Sequence, residues 1–191
     1  MKKNILKQTA SKTVGPFFAY CLTSGQYGYN FTSVSSPRMR KKGMKGIPIS
    51  ISGRVFDGEN IPLNDAVLEI IQADPNGHYA TKTNYGVFGF GRSGTGVNPD
   101  CKYAFETFKP GSTIKTEAPH LNVTVFARGL QNHLFTRIYF PEDKNLFHTD
   151  QLLKQLDTSF HERLIAEPTA PGHYVFNIFL QGKKQSIFLD I

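Results

Sequence analysis

The chain has 191 residues, of which 39% are hydrophobic and 19% charged, with 16 Phe, 8 Tyr and no Trp. That balance suits one domain with a buried core and excludes a disordered chain. The formal net charge of +7 opens the question of an anionic partner. Much of the excess is local, in Lys2, Lys3, Lys7 and Lys12 and in the run Arg38, Arg40, Lys41, Lys42 and Lys45. No nucleic-acid motif accompanies the run, so it reads as a solvated basic loop, and no nucleic-acid partner is expected. Two cysteines, Cys21 and Cys101, make no CxxC pair and read as free thiols of a reducing compartment. The opening MKKNILKQTASK lacks the apolar stretch of a signal peptide, and no run of 18 apolar residues follows. A cytoplasmic protein with no membrane partner is the expectation.

In chain order, residues 1–47 read as an arm and an irregular loop. TVGPFFAY is extended or turn-rich, because Pro16 restricts Gly15 and blocks a continuous helix. Residues 24–47 are rich in Ser, Gly and Lys and have no periodicity. The pattern changes at residue 48, and residues 48–191 read as a β-sandwich domain within a single-domain protein. PISISGRVFDG alternates as a half-buried strand, with Ile49, Ile51, Gly53 and Val55 on one side. AVLEIIQAD is a second strand and PNG a turn before His78 and Tyr79. GFGRSGTGVNPDCK is Gly-rich, but it lacks GxxxxGK[ST] and no helix pattern follows, which argues against a phosphate cradle. YAFETFKPG is a further strand. HLNVTVFARG and NHLFTRIYF alternate cleanly around GLQN, the pattern of a hairpin. LLKQL has helical spacing and marks one short helical excursion around 149–165. GHYVFNIFLQG and QSIFLDI close the chain as strands. Many short strands with a single minor helical segment predict an all-β sandwich.

The chemistry-bearing residues do not form a complete site by spacing. There are six histidines: His78, His120, His133, His148, His161 and His173. An HxH pair on a strand would aim two imidazoles the same way, but here the triplet is His120-Leu121-Asn122. Asn is a poor transition-metal ligand. HExxH, GxSxG and CxxC are absent from the sequence. Taken alone, His120 reads as a hydrogen-bonded structural residue. Arg128, at a strand end, reads either as a surface residue or as a planar fork for an anion.

Larger blocks carry a resemblance. Residues 51–79, ISGRVFDGENIPLNDAVLEIIQADPNGHY, resemble the signature of the intradiol ring-cleavage dioxygenases. GFGR (89–92) and TFKPG (107–111) fit the segments that follow it. APHLNVTVFARGLQNHLFTRIYF (118–140), TVGPFF and the closing FLQGKKQSIFLD look like the α-type chains of that family, which hold no iron themselves. The resemblance covers nearly the whole chain and implies the intradiol β-sandwich fold.

In the family's catalytic chains, two tyrosines and two histidines hold non-haem Fe(III). The corresponding positions here are Tyr79, Thr113, His120 and Asn122. Two of the four are not ligands, so the resemblance implies no metal in this chain and Fe(III) in a partner, the catalytic β subunit. It further implies a hetro-oligomer of αβ units that binds protocatechuate and O2 at a shared pocket. Thr13, Gly15, Pro16, Phe17 and Arg128 would contribute to that pocket's wall. Phe17 stands where relatives often have Tyr, and Ile71 where they often have Trp. Outside the resemblance, the Gly15-Pro16 dipeptide is simply a turn. Two rivals remain at this stage. A non-catalytic transthyretin-like binding module would match residues 49–72 but not 118–140. A homomeric dioxygenase would need other ligands, such as His133 or Tyr139.

Overall fold

A computed structural model describes residues 15, 17–31, 33–40, 43–80, 89–96 and 99–190. Ten strands run β1 Pro48–Gly53, β2 Val55–Phe56, β3 Val67–Gln72, β4 Phe90–Gly94, β5 Tyr103–Phe108, β6 His120–Phe126, β7 Leu134–Tyr139, β8 Glu167–Ala170, β9 His173–Val175 and β10 Ile178–Phe179. They form two four-stranded sheets, ordered β5-β1-β9-β8 and β4-β3-β6-β7, and a small β10-β2 pair. The architecture is the expected β-sandwich.

Alternation builds its centre. Leu121, Val123 and Val125 of β6 point to the buried side with Leu68 and Ile70 of β3 and Ile138 of β7. Ile49, Ile51 and Phe105 of the other sheet meet them in one core cluster. On the outer face of the second sheet, Tyr139 joins Ala118, Phe147, Leu153 and Leu164 in a second, smaller core. This second core exists because residues 141–164 cross that face as a 3₁₀ turn, the short helices α2 (Gln151–Gln155) and α3 (Thr158–His161), and another 3₁₀ turn. Asp150 caps α2, its carboxylate accepting from Leu152 N and Leu153 N at 3.0 and 3.1 Å. Fully burying Leu153 contributes about 1.5–3 kcal/mol.

Four local expectations change. The arm carries a helix, α1 (Phe17–Leu22), followed by a 3₁₀ turn at Ser24–Tyr27, so 149–165 is not the sole helical segment. FFAYCL is therefore helical rather than extended or turn-rich. The segment after α1 is irregular but tightly held. The Gln26 amide bonds both polar groups of Gly94 on the β4 edge, Met39 N donates to Glu106 O, and the Met39 side chain enters the main core. PISISGRVFDG is two strands, because a Cβ at Gly53 would lie 1.9 Å from Phe176 O; the chain changes partners there, from β9 to β10. QSIFLDI is not a strand. Leu189 makes one bridge to Phe135, and the Ser186 hydroxyl accepts from Phe179 N in place of a ladder bond. GFGRSG, read only as Gly-rich, is the edge strand β4.

Candidate functional site

Two regions hold the singled-out residues, and β6 separates them. At the start of β6 the structure gathers Tyr79, Thr113, His120 and Asn122. Tyr79 is brought there by the PNG turn. The Asp74 carboxylate accepts from Asn76 N and His78 N at 2.8 and 2.9 Å, and Gly77 turns with φ +86°. A Cβ on Gly77 would sit 2.0 Å from Ser112 O, so glycine lets this turn press on the loop that carries Thr113.

An ion pair ties three of the four positions together and lies beside the fourth, His120. Arg137, on β7 directly across from Asn122, donates from Nε to Asn122 Oδ1 at 3.1 Å. Its Nη1 donates to Glu117 Oε1 at 3.0 Å and to Tyr139 Oη at 3.3 Å. Asn122 Nδ2 donates to Tyr79 Oη at 2.8 Å, and Thr113 Oγ1 donates to the other oxygen of Glu117. His120 Nε2 lies 3.9 Å from Glu117 Oε1. Behind them, Asp150 is fully buried and accepts from Ala118 N at 3.0 Å and from Tyr139 Oη at 3.3 Å. The same carboxylate thus caps α2 and fixes the loop entering β6.

The electrostatics follow from this packing. Burial pushes the His120 imidazole below its ordinary pKa, and the neighbouring Arg137 charge pushes it further. Its Nδ1 faces Ala118 O at 2.9 Å, which assigns the proton to Nδ1 and leaves Nε2 as a lone pair. Arg137 resists the loss of charge that burial favours, because Tyr139 and Glu117 hold its proton. Burial pushes the Tyr139 phenol up.

Beyond the other end of β6, Arg128 stands in the turn two residues past Phe126. Its Nε pairs with Asp65 Oδ2 at 3.0 Å, and its side chain remains 57% exposed. The arm arrives at this same end, since the Phe18 ring packs on Phe126 with centroids 5.8 Å apart. Gly15 is exposed, with its carbonyl accepting from Phe18 N at 3.4 Å. Thr13 and Pro16 lie outside the described residues, as does the side chain of Phe17. The alternative ligands do not converge. His133 packs on Phe126 and Phe135 at the Arg128 end, whereas Tyr139 is bonded into the Arg137 network.

Three residues central to the first region were not picked out from the sequence: Glu117, Arg137 and Asp150. Arg137 was findable, because pairing the two strands of the hairpin sets it opposite Asn122. Asp150 stands just before the LLKQL run, the place of a helix cap. Glu117 carries no sequence signal, since only the folded loop brings it to Arg137.

This arrangement meets its relatives in known proteins. Residues 22–182 match the Dioxygenase_C family, described as dioxygenase. The chain belongs to that family, and its β-sandwich is of the intradiol ring-cleavage type. It is 37% identical to the protocatechuate 3,4-dioxygenase alpha chain of Burkholderia cepacia, over 97% of this chain and 98% of that one. It is 30% identical to the alpha chain from Pseudomonas putida, over the full length of both. Similarity to the Burkholderia cepacia beta chain is 28% and covers 72% of this chain and 66% of the relative. Among solved structures, the dioxygenase domain of a carbohydrate-binding fusion from Streptomyces sp. SirexAA-E superposes with a TM-score of 0.62 at 26% identity, covering 81% of this chain and 94% of that one. An intradiol ring-cleavage dioxygenase from Tetranychus urticae shares the fold, with a TM-score of 0.54 at 19% identity, covering 77% and 87% of the two chains.

The first region does not fit the family's ferric iron. That ion favours hard anionic donors, and an amide at Asn122 and a hydroxyl at Thr113 supply neither a phenolate nor an imidazole. A guanidinium bonded among the four positions adds a positive charge where a cation would have to approach. No helix among the described residues is long and apolar enough to cross a membrane.

Proposed function

We propose that this chain is the α subunit of a two-chain protocatechuate 3,4-dioxygenase, acting in the cytoplasm beside a catalytic β subunit. The observation that carries the reading is the Arg137–Glu117 pair at the family's metal positions, in a chain that aligns end to end with α chains. That pair supports the reading that the iron is supplied by a second chain. Ferric iron held by the β subunit would supply the activation of the bound substrate. The bond between the two hydroxylated carbons of protocatechuate breaks, both atoms of O2 enter the product, and 3-carboxy-cis,cis-muconate forms without a further reductant.

The part given to this chain is the wall of the pocket. Thr13, Gly15, Pro16 and Phe17 of the arm and Arg128 would face the partner's site. Their placement is supported by the α1 contact on Phe126, which carries the arm to the end of β6 where Arg128 stands. Protocatechuate carries a carboxylate, and an Arg held by Asp65 yet mostly exposed is a suitable counter-charge. The tests are purification of the chain alone and co-purified with its β partner, followed by oxygen uptake and product analysis with protocatechuate. Activity confined to the pair supports the reading. Ring cleavage by the lone chain defeats it.

A further inference from the structure

The network at the start of β6 leaves one buried polar atom without a partner. His120 is prepared as a ligand. Its Nδ1 is committed to a backbone carbonyl, an arrangement that metal-binding histidines use to fix ring and tautomer. Its Nε2 is buried and unpartnered, on a side chain only 3% exposed. A buried polar atom without a partner is uncommon and calls for a physical reason. The nearest charged oxygen, Glu117 Oε1, is 3.9 Å away and is taken by Arg137 at 3.0 Å. Tyr79 Oη, a further oxygen donor, is joined to the same guanidinium through Asn122.

We propose that the Arg137 guanidinium is the resident cation of this pocket, standing in for a metal charge and keeping metals away from a histidine still arranged to bind one. Three observations converge on it. The guanidinium bonds directly to Asn122 and Glu117 and through them reaches Tyr79 and Thr113, so it is the hub of three of the four positions, with His120 beside it. Glu117 is a partly buried carboxylate, 20% exposed, whose negative charge requires a cation, and Arg137 provides it. Arg137 is itself only 23% exposed, and it occupies the Glu117 oxygen nearest His120 Nε2, so that carboxylate is not left to join a metal at the imidazole. The four positions are therefore a rebuilt site, in which a covalently attached cation has replaced an exchangeable one. This inference rests on the same Arg137–Glu117 pair as the proposed subunit role, and Co(II) binding tests it separately from ring-cleaving activity.

The test is Co(II) binding by the full chain, with the co-purified pair in parallel, comparing the unaltered protein, Arg137→Gln and the double variant Arg137→Gln/His120→Gln. Co(II) reports its ligands in its visible spectrum, which ring-cleaving activity does not influence. Arg137→Gln is expected to retain Co(II) at least about tenfold more tightly than the unaltered chain, and the gain is expected to vanish in the double variant. A folded Arg137→Gln that takes up no Co(II) overturns the proposal, as does Co(II) bound at His120 in the unaltered chain. If Arg137→Gln does not fold unaided, refolding with Co(II) decides: recovery supports a cation as the missing part, and failure to recover overturns it.

Discussion

The two ends of β6 show how one strand can serve two purposes. At its start, His120 and Asn122 are absorbed into a closed network in which Arg137, Glu117, Tyr139 and Asp150 satisfy one another. Past its end, Arg128 has one carboxylate partner and an otherwise exposed side chain. The closed end is half-buried and most of its polar groups are bonded to one another, with His120 Nε2 left unpartnered. The open end keeps a charged fork available beside the arm. One end of the strand is tied up by its own charged neighbours, and the other leaves a charged side chain mostly exposed.

The comparison predicts that substitutions at the closed end change stability, whereas those at the open end change substrate handling. The largest effect is expected from Asp150→Ala, which strands Ala118 N, the α2 cap donors and the Tyr139 hydroxyl at once. A loss of about 2–4 kcal/mol in urea denaturation is expected, with KM unchanged in enzyme that remains assembled. Next is Arg128→Gln in the assembled enzyme. Removing a charged partner of the substrate carboxylate should raise KM for protocatechuate about tenfold. A catechol without the carboxylate should be handled as before, and stability should move by less than about 1 kcal/mol. If both substrates lose equally, Arg128 serves the fold rather than the carboxylate. Asp65→Asn tests how far the open end is pre-positioned: a rise in KM of about threefold without a change in kcat fits a carboxylate that only orients Arg128.

The smallest expected effect concerns the segment after α1. Burial, with Tyr20 and Asp65 adding to it, raises the Tyr27 phenol from 10.0 to about 12, and its hydroxyl donates to Asn64 O. A phenol that holds its proton more tightly when folded contributes fully below about pH 10, and the contribution fades as pH rises through about 12. Tyr27→Phe should remove that part of the alkaline destabilisation. An unchanged alkaline profile would mean that this segment is not coupled to the titration.

The sandwich was legible because alternation is a local signal. HLNVTVF and LFTRIY carry it, and burial follows it through the middle of both strands, departing at His120 and at Tyr139 of the second core. QSIFLDI carries it as well, yet makes only one bridge: alternation tells which side chains face inward, not whether the backbone finds a partner. The helix at FFAYCL is too short to display a period. The substitutions Thr113 and Asn122 were readable as departures from the family pattern. The Arg137–Glu117 pair beside them was not, because the two residues are 20 apart and meet only once β6 and β7 pair in the right register.

The most direct measurement is the iron content of each chain in the assembled enzyme, obtained by metal analysis alongside the visible tyrosinate–Fe(III) absorption. The account predicts a single ferric ion for each pair of chains, all of it remaining with the β subunit after separation. Iron and colour that stay with this chain would contradict it, because the Arg137–Glu117 pair could not then occupy the metal positions.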